Sequence, residues 1–244
     1  MEFTYNSYRL LLNNIKDHGY AIASYATWPE HGRSVILRHD IDNSIEKALK
    51  LARIENESEV SSTYFVLLTS DFYNVFSAKS ASMLKEILRL GHEVGLHFDE
   101  VRYPEAKLDE LAIAIKKEAD ILSAAIGVEV KSVSMHRPGK AILEADLKIP
   151  GLINSYGKTY FKEFKYLSDS RRRWREPVNE IIDSGQYNRL HILTHAFWYN
   201  ETNTTIGDTV KEYVNRANYE RYISMSENIT DIASIMEEGE VVRA

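Results

Sequence analysis

Short apolar runs alternate with longer amphipathic stretches along the chain. Residues 8–17 carry Leu11, Leu12 and Ile15 on one face of a helical repeat, and Gly19 stops it. Residues 20–25 and 34–38 predict strands, the second a buried one. Asn43 opens a helix with Glu46 three residues on, a capping-box arrangement. The pattern then predicts a strand over 61–67, a helix over 81–90, a strand over 93–98, a helix over 108–126 and a strand over 131–135. Residues 151–155 and 164–167 are weaker strand patterns. A short helix over 178–183, a clear strand over 190–194 and a mostly helical stretch over 209–236 follow. Such alternation predicts an α/β fold, a parallel sheet covered by helices. With about seven or eight strands it favours a (β/α) barrel over an open sheet.

No repeat, low-complexity tract or linker interrupts the pattern, so residues 1–244 are expected to form a single domain. The chain has no cysteine, which excludes a disulfide framework, thiolate metal ligands and a cysteine nucleophile. Its net charge of −6 argues against a nucleic-acid partner. The opening carries an early acid and does not read as a secretory signal. No uncharged run approaches the ~20 residues of a membrane span. A cytoplasmic location is the expectation.

Candidate chemistry gathers at strand ends. Of eight histidines, His39, His97, His136 and His195 each close an apolar run. In parallel α/β folds the carboxyl ends of strands converge on one rim, where active sites sit. The densest cluster is Arg38-His39-Asp40-Ile41-Asp42. Asp40 and Asp42 share one face of an extended backbone. Close together in a cleft they repel unless a cation or a proton compensates. The alternative is that Asp42 or Asn43 caps the next helix, which leaves Asp40 unexplained. His92 and His97 are an odd number apart and face opposite ways on a strand, so His97 is the functional candidate and His92 a structural one. Arg137 is expected to pair with Asp40 and hold it ionised, or to be a solvated turn residue.

In order, Asp40-Ile41-Asp42, Gly91-His92-Glu93-Val94-Gly95-Leu96-His97, His136-Arg137-Pro138 and Leu193-Thr194-His195 resemble the motifs of the polysaccharide deacetylase superfamily. These are the NodB-homology or carbohydrate esterase family 4 enzymes. The resemblance spans roughly residues 34–200. It implies a distorted (β/α) barrel of seven or eight strands and a divalent metal, with zinc expected. The implied reaction removes an acetyl group from a sugar, a hydrolysis at a C–N amide bond. Asp40 matches the family's general base, Asp42 and His97 its metal ligands, Arg137 the arginine that orients the base, and His195 the general acid. The family's second histidine ligand falls on Val101, which cannot bind metal. His136 is the expected replacement, with Asp99 and Glu100 as competitors. Residues 166–169 with Trp174 loosely resemble a fourth motif, in which an acid tunes the histidine and a tryptophan lines the pocket. Trp174 and Asp169 are therefore expected at the substrate. Phe197-Trp198-Tyr199 directly follows His195, so Trp198 is expected either to stack on the sugar or to belong to the core.

Arg171-Arg172-Arg173-Trp174-Arg175 is a basic run in an acidic chain, either a solvated loop or a site for an anionic substrate. Deacylation of a nucleotide sugar or a surface-polysaccharide precursor is the leading expectation. The alternative is a sugar-binding or regulatory relative that lost catalysis with the second histidine. A phosphoesterase or amidohydrolase is less consistent, because His39-Asp40-Ile41-Asp42 stands where those enzymes open with His-x-His.

Overall fold

A computed structural model describes residues 1–241. Eight strands form one parallel sheet: β1 (Ala21–Ala23), β2 (Ser34–Ile41), β3 (Thr63–Leu67), β4 (Glu93–Phe98), β5 (Ser132–Met135), β6 (Ile153–Asn154), β7 (Lys165–Ser168) and β8 (Arg189–Thr194). The order is β6-β5-β4-β3-β2-β8-β7, with β1 also on β2. β6 and β7 are the two ends of that order and do not pair, so the barrel is open there. This is the α/β barrel the alternation predicted, distorted as the resemblance implied. Helices α1 (Tyr5–Asp17), α2 (Ile45–Glu57), α3 (Ala78–Arg89), α4 (Leu108–Ile126), α5 (Lys140–Ala145) and α6 (Val178–Ser184) connect or flank the strands.

Strand β2 is central and longer than its apolar run suggested. Arg38, His39 and Asp40 lie within it, paired to Thr63, Tyr64 and Phe65 of β3. The opposite edge pairs residues 34–39 with β8. With both edges hydrogen-bonded, the strand continues through its polar residues. Alternation then sorts its side chains. Val35, Leu37 and Ile41 join the main core between sheet and helices, whereas Ile36 joins a smaller core with Tyr25, Phe65 and Phe164. Arg38, Asp40 and Asp42 share the parity of Ile36 and face the barrel interior. Gly95 on β4 lets that interior close: a Cβ there would lie 2.5 Å from the Phe65 ring and 2.7 Å from Ser132 Oγ.

Residues 1–201 form one compact unit and the chain from Thr202 another. Within the second, α7 (Ile206–Ser226) starts from a capping box of Thr205 and Asp208. Among the described residues, no helix is long and apolar enough to cross a membrane.

Candidate active site

Three strand ends bring Asp42, His97 and His136 together. Asp42 follows β2 and is free to point inward because the cap of α2 is supplied elsewhere: Ser44 accepts from the Lys47 N–H. The helix therefore starts one residue later than the Asn43 cap predicted from the sequence. His97 closes β4 on the inner parity, and His136 follows β5, its N–H donating to the Phe98 carbonyl at 2.9 Å.

Asp42 Oδ1 lies 3.2 Å from His97 Nε2 and 3.3 Å from His136 Nδ1, and the two nitrogens are 3.1 Å apart. Oδ1 is buried yet has no hydrogen-bond partner. Three donors about a tetrahedral cation at ~2.0–2.1 Å lie roughly 3.3–3.4 Å apart. The observed edges fall just inside that triangle, and a carboxylate with two imidazoles suits a divalent cation such as zinc. These residues fit the metal that the sequence implied.

Asp40 flanks the triangle, its Oδ2 3.7 Å from His97 Nε2. Arg38 grips it with two hydrogen bonds, Nε to Oδ1 at 3.0 Å and Nη2 to Oδ2 at 2.8 Å. Arg38 is wholly buried. Its guanidinium also donates to Ser155 Oγ and Tyr156 OH, and it sits 4.8 Å from the Tyr156 ring centre. Burial by itself pushes the Asp40 carboxyl up, but the Arg38 charge and hydrogen bonds, with His97 and His195, together outweigh this and hold it below the ordinary carboxylate value.

His195 stands across the cleft, its Nε2 4.0 Å from Asp42 Oδ2. Asp169, at the end of β7, holds it: Nδ1 is 2.7 Å from Asp169 Oδ1, and the His195 backbone N–H donates to the same carboxylate. Burial disfavours the charged ring. The Asp169 hydrogen bond and charge overcome that, Asp42 and Asp40 add to them, and the pKa is lifted to about 9.

Two expectations need correction. Arg137 does not reach Asp40; its exposed guanidinium pairs with Asp99 at 3.1 Å, and Arg38 makes the pairing with Asp40 foreseen for it. The sequence held a signal for this, since a cation within an apolar run and two residues from a carboxylate shares its face. Asp169 is fully buried against His195 and contacts no solvent, so it is not a substrate contact. Its other implied part, tuning the histidine, matches what it touches. Asp99 and Glu100 do not compete for the triangle: Asp99 is bound to Arg137 and the Val101 N–H, and Glu100 accepts from the Gly139 N–H. Val101 is exposed. Trp174 and Trp198 are half-buried against the main core, and the Trp174 Nε1 has no hydrogen-bond partner.

No family model and no curated protein matches the chain. Several solved structures do. A family 4 carbohydrate esterase from Streptomyces lividans, in complex with acetate, is 15% identical, with a TM-score of 0.47 over 67% of this chain and 79% of that one. The catalytic domain of a peptidoglycan N-acetylglucosamine deacetylase from Eubacterium rectale is 16% identical, with a TM-score of 0.47 over 74% and 82%. A family 4 pseudoenzyme from Bacillus anthracis is 14% identical, with a TM-score of 0.42 over 75% and 63%. At low identity, this chain is similar to a family 4 carbohydrate esterase, a peptidoglycan deacetylase and a family 4 pseudoenzyme.

Proposed function

We propose that this protein is a divergent carbohydrate deacetylase, a metal-dependent hydrolase that removes an N-acyl group from a sugar. The observation that carries this reading is the triangle of Asp42, His97 and His136 donor atoms, with Asp40 gripped by Arg38 on one flank and His195 held by Asp169 on the other. Asp42, His97 and His136 would hold the cation. When bound, it supplies Lewis-acid chemistry, acidifying water and polarising an acyl oxygen.

The remaining steps belong to side chains. Asp40 accepts the proton of the attacking water, and Arg38 fixes the direction of its lone pairs. His195, whose affinity for a proton Asp169 raises, donates to the departing nitrogen, which is a poor leaving group until protonated. Asp169 keeps the His195 ring oriented with Nε2 toward the cleft. Because Arg38 faces Asp40 and Asp169 faces His195, the environments of base and acid push them toward opposite charge states. Trp174 and Trp198 are assigned to the sugar-binding wall.

The test is acetate release from a panel of N-acetylated sugars by zinc-loaded protein. Release that disappears with chelator, and in Asp40→Asn and His195→Ala, is expected. Zinc-loaded protein that binds such sugars but releases no acetate would instead identify a binding relative.

A further inference from the structure

We propose that the loop over residues 170–175 binds an oxyanion, a phosphate or a carboxylate, carried by the acylated sugar. The inference rests on the deacylation reading for its sugar but not for its anion. Four of the five residues from Arg171 to Arg175 are arginines, in a chain of net charge −6. Among the described residues, the guanidinium groups of Arg171, Arg173 and Arg175 have no hydrogen-bond or ion-pair partner, and Arg171 and Arg173 are exposed. Arg172 differs, lying 5.5 Å over the Phe3 ring.

The backbone is unusual as well. Arg171 (φ 60, ψ 32) and Arg172 (φ 55) are consecutive left-handed residues, a conformation that L side chains disfavour. It is held in place: the Arg173 N–H donates to the Asp169 carbonyl at 3.1 Å, Ser168 and Ser170 hydroxyls meet at 2.6 Å, and the Trp174 ring packs on the core. The charges of Arg171, Arg173 and Arg175 are thus crowded on a strained loop with no ion-pair partner among the described residues. An arriving oxyanion offsets the repulsion, and the guanidinium fork matches its geometry.

Position selects the substrate as the carrier. The loop springs from Asp169, whose carboxylate clamps His195. Arg171 is two residues on, so its Cα lies within ~7.6 Å of that of Asp169. An otherwise acidic protein repels an anionic substrate, and a local cationic rim reverses the field at the site.

The test compares binding of N-acetylglucosamine, N-acetylglucosamine 1-phosphate and glucuronate by isothermal titration to the zinc-loaded full chain carrying Asp40→Asn, which prevents turnover. At least one charged probe is expected to bind tenfold or more tightly than the neutral sugar, and which one does so separates phosphate from carboxylate. That ratio should fall toward one in Arg171→Ala/Arg173→Ala, and also when salt is raised from 50 to about 500 mM, a control that needs no variant. If neither charged probe binds more tightly than the neutral sugar, or if the double variant keeps the ratio, the proposal is wrong. Arginine-dependent binding without acetate release by the unsubstituted protein overturns the deacylation reading alone. Acetate released with equal kcat/KM from N-acetylated sugars that are neutral, phosphorylated and carboxylated overturns the oxyanion site alone.

Discussion

Strand β2 carries a buried polar cluster on each face, and the two are built on opposite terms. Toward the helices, His39 meets Glu55 of α2, and every oxygen of that carboxylate is used. Oε1 accepts from Tyr8 at 2.5 Å and lies 2.8 Å from His39 Nε2, while Oε2 accepts from Ser62 at 2.6 Å and Tyr64 at 2.7 Å. The other His39 nitrogen meets Thr194 at 2.6 Å, and His92 donates to the Ala52 carbonyl. Toward the barrel interior, the Asp42 Oδ1 and His97 Nδ1 atoms are buried with no hydrogen-bond partner. A satisfied buried network holds a fold together, whereas one left short of partners marks the place where something else binds.

That contrast breaks first at Asp42. Asp42→Ala should lower zinc affinity at least 10³-fold, about 4 kcal/mol, while the urea midpoint stays close to that of the parent protein. Equilibrium dialysis against zinc measures the first and a circular-dichroism urea titration the second. Loss of metal together with the fold would make the inner cluster structural after all.

Glu55→Gln should do the reverse. It removes a buried charge and leaves donors unanswered, for a loss of about 3 kcal/mol. Zinc affinity should change by no more than about threefold. Urea unfolding with the same dialysis assay tests both halves.

Acid sharpens the outer cluster. Burial by itself pushes Glu55 up, yet His39, His92 and the hydroxyls hold it at about 2, against an ordinary 4.5. A carboxyl depressed in the folded state adds stability that is complete above the unfolded value and is lost as pH falls toward the folded one. Glu55 should therefore contribute of the order of 3 kcal/mol above pH 4.5 and progressively less down to pH 2. Unfolding titrations of the parent and Glu55→Gln should converge over that window. A constant difference contradicts the assignment.

Gly95→Ala should give the smallest change, a loss of about 1–3 kcal/mol from overpacking against Phe65 and Ser132. Differential scanning calorimetry reads it. No loss would mean that the barrel interior has room to relax.

Much of this architecture was legible in the chain. The strand-helix alternation gave the sheet, because β2, β3 and β5 are buried on both faces and helices such as α1 and α3 on one. The period of two gave the site: Asp40 and Asp42 share a face, and the odd spacing separates His97 from His92. Pairing between distant side chains was harder to read. Arg38 and Arg137 were both available to Asp40, and only the fold shows that Arg38 reaches it along its own strand while Arg137 meets Asp99. Glu55 passed unnoticed because one acid on an amphipathic helix looks solvated, although it follows Leu51 and Ala52 at core spacing. The opening between β6 and β7 depends on two short strands that carry little pattern of their own.

The most direct test of the central claim is anomalous diffraction at the zinc edge from crystals of zinc-loaded protein. A single peak bonded to Asp42 Oδ1, His97 Nε2 and His136 Nδ1 is the expected result. A peak bonded to Asp99 or Glu100 in place of His136, or none near Asp42, would contradict it.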